Sequence, residues 1–130
     1  MNFETHYEKY QKFKESAQQE RYVPSRIEDY FKSALNLIEA VAVKKLGVHI
    51  QKHQKVPTSL KQNVEIFGSK TDDIINEFHE IENKIRVATS YGKRHNGELL
   101  EKTQESFNKI EDVCLNKLKA DEIQNDTKGV

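Results

Sequence analysis

Between positions 40 and 64 the chain carries no Asp or Glu, while Lys44, Lys45, Lys52, Lys55 and Lys61 fall inside that window together with His49 and His53. Such a stretch can neutralise phosphates or grip the acidic surface of a partner. His49 and His53 stand four apart, which on a helix puts two imidazoles on one face, as in paired zinc ligands. With no Glu following His49 and no cysteine nearby, the pair reads as solvent-facing loop histidines, and no metal or other cofactor is expected. The five glycines are isolated, so no phosphate-cradling loop of the Walker or dinucleotide type is present. Cys114 falls on an apolar stripe and reads as a small buried residue rather than a nucleophile. Further on, Arg86 lies ahead of Tyr91, Gly92 and the turn Lys93-Arg94-His95. An arginine at the edge of a helix stripe can bind an anion or pair with a carboxylate such as Glu82. Candidate anion- or RNA-binding residues are therefore Arg86, Tyr91, Lys52, Lys55, Lys93 and Arg94.

The elements that must position these groups are helices. Apolar residues recur at three and four positions, and no segment alternates with period two for long enough to form a strand. Phe3, Tyr7, Tyr10, Phe13 and Ala17 form one stripe, with Glu4, Lys9, Lys12 and Glu15 turned to water. After Pro24, Ser25 and Glu28 form a capping-box pattern ahead of Ile27, Tyr30, Phe31, Ala34, Leu35, Ile38, Val41, Ala42 and Leu46, with Gly47 as the terminator. Residues 48–57 read as a loop. Thr58 or Ser59 caps a short helix with Leu60, Val64 and Phe67 inward, stopped by Gly68. Thr71, with Asp72 and Asp73 at the positive end of the dipole, opens the stripe Ile74, Ile75, Phe78, Ile81, Ile85 and Ala88. Leu100, Thr103, Phe107, Ile110, Cys114 and Leu118 make the last. Helices are thus predicted over 3–20, 25–47, 59–67, 71–91 and 98–118. The fold class is all-α, an up-and-down four-helix bundle with an additional short helix. A single domain over 1–120 is expected, with 121–130 as a disordered tail of little apolar area.

Composition bounds the function. At 130 residues the chain has room for one core. Lys plus Arg equals Asp plus Glu at 21 each, so only a local patch, never the global charge, can argue for nucleic acid or an anionic membrane. No apolar run approaches the roughly 20 residues of a membrane span. The start Met-Asn-Phe-Glu-Thr-His has neither a basic nor an apolar leader region, and the lone cysteine suits a reducing compartment, so a cytoplasmic location is expected. With 35% apolar residues serving both a core and a tail, a homodimer is expected to supply further burial.

Three stretches carry a family resemblance. They are the run Tyr30-Phe31-Lys32-Ser33-Ala34-Leu35-Asn36-Leu37-Ile38-Glu39-Ala40, the Gly47 loop with His53, and Arg86 followed by Tyr91-Gly92 and a final amphipathic helix. Over roughly residues 25–118 the chain resembles the HEPN domain family of small prokaryotic helical bundles. The resemblance implies a four- or five-helix bundle, often dimeric, tied either to RNA cleavage or to a small nucleotidyltransferase partner in toxin–antitoxin pairs. Catalytic members pair an Arg with a His a few residues on, the Arg steadying phosphorane charge and the His moving the proton. Here Tyr91 stands near the place of that His, and a tyrosine is a poor general base at neutral pH. His95 follows Arg86 with eight residues between. The preferred expectation is therefore a non-catalytic interaction module, partnered by itself or by a nucleotidyltransferase, with weak RNA contact. The alternative is a metal-independent endoribonuclease using Arg86 and His95.

Overall fold

The computed structural model describes the backbone of residues 1–90 and 96–128 and the side chains of residues 1–84 and 97–120. The helices are α1 (Phe3–Gln19), α2 (Val23–Leu46), α3 (Val56–Gln62), α4 (Thr71–Ser90) and α5 (Asn96–Lys128), with short 3-10 turns at His53–Lys55 and Gly68–Lys70. No strand occurs among the described residues, and the all-α bundle expected from the stripes is the fold. No helix among them is long and apolar enough to cross a membrane.

Both prolines open helices instead of interrupting the chain. Pro24 lies in the first turn of α2 and Pro57 in the first turn of α3. A first-turn residue has no intrahelical acceptor for its N–H, so proline loses nothing there and its fixed φ suits the helix. Consequently α2 begins at Val23, ahead of Ser25, and α3 begins at Val56, ahead of Thr58 and Ser59. The capping roles expected for those three residues are not realised. Because α3 ends at Gln62, its helical register stops before Val64, which is 53% exposed, while Ile66 and Phe67 fill the interior. At the other end, α5 stays helical well past Leu118, to Lys128.

Gly47 terminates α2 as expected, at φ 65°, and the amides of Gly47 and Val48 donate to the carbonyls of Val43 and Ala42. Thr71 opens α4, its hydroxyl donating to the Gly68 carbonyl at 2.7 Å.

Helix α2 is the centre of the molecule, packed against α1, α4 and α5. Its middle is buried on nearly every side: Ser33, Ala34 and all residues from Asn36 to Ala42 are interior. That exceeds the one-sided stripe read from the sequence, and Leu46, placed on that stripe, is exposed. Helix α1 is stitched to α2 by polar bonds as well as by Tyr10 and Ala17. Ser33 Oγ donates to the Tyr10 carbonyl at 2.8 Å, Ser16 Oγ to Asp29 Oδ2 at 2.8 Å, and Arg26 Nε to the Ala17 carbonyl at 2.7 Å. The last of these satisfies an end carbonyl of α1 and closes the turn between the two helices. Helix α1 reaches α5 through side chains, Tyr10 OH donating to Glu111 Oε2 at 2.6 Å with Lys14 Nζ 2.7 Å from the same oxygen. Burial and this carboxylate hold the Tyr10 phenol above its ordinary range.

Candidate functional site

The acid-free stretch emerges from Gly47 and runs without helix to Lys52, which precedes the 3-10 turn. Lys52, Lys55 and Lys61 are exposed and make no ion pair among the described residues. Several lysines elsewhere are matched to carboxylates: Lys12 to Glu8, Lys32 to Glu28, Lys84 to Glu80 and Lys102 to Glu98, each one helical turn apart at 3.0–3.4 Å. Lys14, Lys70 and Lys109 likewise meet Glu111, Asp73 and Glu77. In a chain of zero net charge, that pairing leaves positive potential concentrated where the acids are missing. The patch is smaller than its five lysines suggested, because Lys44 stands over the Phe3 ring at 4.6 Å and Lys45 is half-buried.

His49 and His53 do not share a helix face. His49 is exposed in the irregular segment, whereas His53 opens the 3-10 turn. His53 keeps 42% of its side chain open to solvent, as expected, while its ring also meets Phe31 edge-on at 5.5 Å and its Nε2 lies 3.9 Å from Glu82 Oε2. Among the described residues no group of three or more His, Cys, Asp or Glu side chains is placed to hold a metal ion. Cys114 is fully buried, and burial pushes its thiol up, away from the thiolate a nucleophile needs.

Arg86 lies in the backbone of α4, one turn beyond Glu82. Its side chain, and Tyr91, Lys93, Arg94 and His95 altogether, lie outside the described residues. Of the expected site residues, Lys52 and Lys55 are thus the two whose side chains the structure places, three residues apart on one exposed segment.

A second constellation was not anticipated. His6, on the α1 face turned toward α2, is buried with Asn36 and Glu39. The Asn36 amide is fixed by donation from Nδ2 to the Lys32 carbonyl at 2.9 Å, so its Oδ1 is the acceptor facing His6 Nδ1 at 3.1 Å. The proton of the neutral ring therefore sits on Nδ1. Glu39 Oε2 lies 3.2 Å from the same nitrogen. Burial raises the Glu39 carboxyl to about 7 against the opposing pull of Lys9 and the Met1 amino group, and burial lowers His6 below its ordinary value despite the Asn36 bond. The three side chains line a pocket of about 580 Å³ together with Lys9, Leu35, His49 and Ile50. One sequence signal pointed here: a Glu and an Asn three apart inside an otherwise apolar decapeptide, residues 34–43, must be buried wherever that helix is surrounded.

No family model, curated protein or solved structure matches the chain.

Proposed function

We propose that the chain is a non-catalytic helical interaction module that docks the acidic surface of a protein partner through the exposed segment carrying Lys52, Lys55 and Lys61. The observation that supports this reading is the contrast in charge pairing. Seven lysines elsewhere are matched to carboxylates, whereas these three are unmatched among the described residues and follow one another along the loop and α3 in a stretch that holds no acid; Lys9, Lys117 and Lys119, also unmatched, stand on helices that carry acids. Complementary charge of this kind steers encounter and fixes orientation. In the HEPN-like reading the partner is a small nucleotidyltransferase of a toxin–antitoxin pair, met in the cytoplasm by a homodimer of this chain. The dimer is checked by sedimentation at micromolar concentration, which will give twice the 15.2 kDa of one chain.

The docking reading is tested by affinity recovery of tagged chain from its own cells, before and after ribonuclease treatment. A protein partner survives the ribonuclease, and the triple variant K52E/K55E/K61E retains about one fifth of it or less, since three rim pairs together contribute about 1 to 3 kcal/mol. Equal recovery by the triple variant overturns the proposal. So does metal-independent strand scission lost in Arg86→Ala or His95→Ala, which would install the endoribonuclease reading.

Contact with RNA is secondary and measurable. With three lysines free for phosphates, affinity for a single strand will fall with a log–log salt slope of about −2, and replacing Lys52 and Lys55 together will flatten it by about 1.4. A slope indistinguishable from zero removes RNA as a ligand of this face.

A further inference from the structure

Glu39 is a buried carboxyl whose one close polar partner among the described residues, His6 Nδ1, is shared with Asn36. The neighbouring His6 Nδ1 meets its hydrogen-bond geometry with Asn36 Oδ1, and the Asn36 amide is itself spent on the Lys32 carbonyl. Glu39 Oε2 lies at 3.2 Å from the ring nitrogen as a second, poorly aligned neighbour. A carboxyl that is 8% exposed with only one shared donor is costly to the fold, and natural interiors rarely leave one in that state. What relieves it is a donor from outside, and the group faces a pocket with room for one: about 580 Å³, within the range of small-molecule sites.

The other walls narrow the class of molecule. Leu35 and Ile50 give the pocket an apolar side. Lys9, exposed on α1, and Met1, whose amino group acts on Glu39, give its mouth the opposite polarity to its floor. A simple cation satisfies the floor and is repelled at the mouth, while a simple anion does the reverse. A molecule with an ammonium at one point and a carboxylate a few bonds away satisfies both. We propose that this pocket binds a free α-amino acid with an apolar side chain, its ammonium on Glu39, its carboxylate toward Lys9, and its side chain against Leu35 and Ile50. The site is separate from the lysine segment and does not depend on the docking proposal.

Calorimetric titration of the full chain with three probes tests it: L-leucine, 3-methylbutylamine, which lacks the carboxylate, and 4-methylpentanoate, which lacks the ammonium. Leucine will bind with each single-headed probe at least about tenfold weaker, the usual effect of losing one charge-assisted hydrogen bond. Glu39→Gln will weaken leucine about tenfold or more and leave 4-methylpentanoate unchanged. Lys9→Ala will weaken leucine and leave 3-methylbutylamine unchanged. Thermal unfolding of both variants confirms that they are folded. Absence of leucine binding at millimolar concentration overturns the proposal, as does equal affinity for leucine and 3-methylbutylamine, or a Glu39→Gln variant that binds leucine like the parent chain.

Discussion

Replacement of Phe78 by alanine will destabilise the protein by about 3 to 5 kcal/mol, read as a shift of the urea midpoint at unchanged slope. Phe78 is 2% exposed and stacks on Phe31 with ring centroids 5.1 Å apart, in the seam where α4 meets α2. Truncation removes the ring's own burial and leaves a cavity that the surrounding helices close only in part. Phe31 makes the informative comparison. The stripe placed it equally deep, yet it is half-buried, with Phe78 on one side and the edge of His53 on another. Phe31→Ala will therefore cost about 1 to 2 kcal/mol, because less apolar area leaves water in the native state and the opening adjoins solvent. Equal losses at the two positions would show that the ring of Phe31 is as enclosed as that of Phe78.

The Glu39→Gln variant will be more stable than the parent chain at pH 8 by about 2 to 3 kcal/mol and nearly equal to it at pH 4. The sign follows from proton binding. An unfolded Glu39 releases its proton near 4.5, whereas the buried carboxyl holds it to about 7. Across that window the native state binds more protons, so the Glu39 contribution to stability declines as pH rises and is fully lost above 7. Glutamine carries no charge to desolvate and escapes the decline. His6 works in the other direction: its native value is lowered from 6.5, so acidification through that range favours the unfolded chain, which takes up the proton more readily. The variant keeps this second dependence. Its stability will rise with pH up to about 6.5 and then level, while the parent will fall between 4.5 and 7 relative to it. Chemical denaturation at pH 4, 6 and 8 measures both limbs, and a variant of equal stability at pH 8 would place Glu39 in water.

The helices were legible because their signals are local. Stripes at three- and four-residue spacing, Gly47 at the end of α2 and Thr71 at the start of α4 each act within a turn or two of themselves. What misled was equally local. Pro24 reads as a break and Pro57 as the end of a loop because proline stops a helix it enters late, and nothing in their immediate neighbours says that these two enter early. Val64 was placed inward by extending a period that α3 abandons at Gln62. Pairings across the chain had no local signal at all: Tyr10 and Glu111 are 101 residues apart, His6 and Asn36 are 30 apart, and each partner taken alone is unremarkable. His6 lies on the buried face of its own helix, three residues after Phe3 and four before Tyr10, and only its polar type hid it there. The lysine segment was legible in full as composition, but the engagement of Lys44 with Phe3 depends on how α1 lies across the end of α2.

The enclosure of α2 by three neighbours sets how this sequence can drift. A helix with one buried face can exchange most residues on its open side without penalty, so the outer faces of α1, α4 and α5 are free to diverge quickly. The middle of α2 is closed on every side but the one where Leu35, Asn36 and Glu39 line the pocket. Ala34, Ala40 and Ala42 are fully enclosed, where any larger side chain would have to push a neighbouring helix away, and Ser33 and Asn36 hold bonds that no apolar residue replaces. Distant kin of this chain will therefore keep the pattern Ser-Ala-x-Asn-Leu-Ile-Glu-Ala-Val-Ala longest, and ancestry will be traceable in that one helix after the rest of the surface has been rewritten.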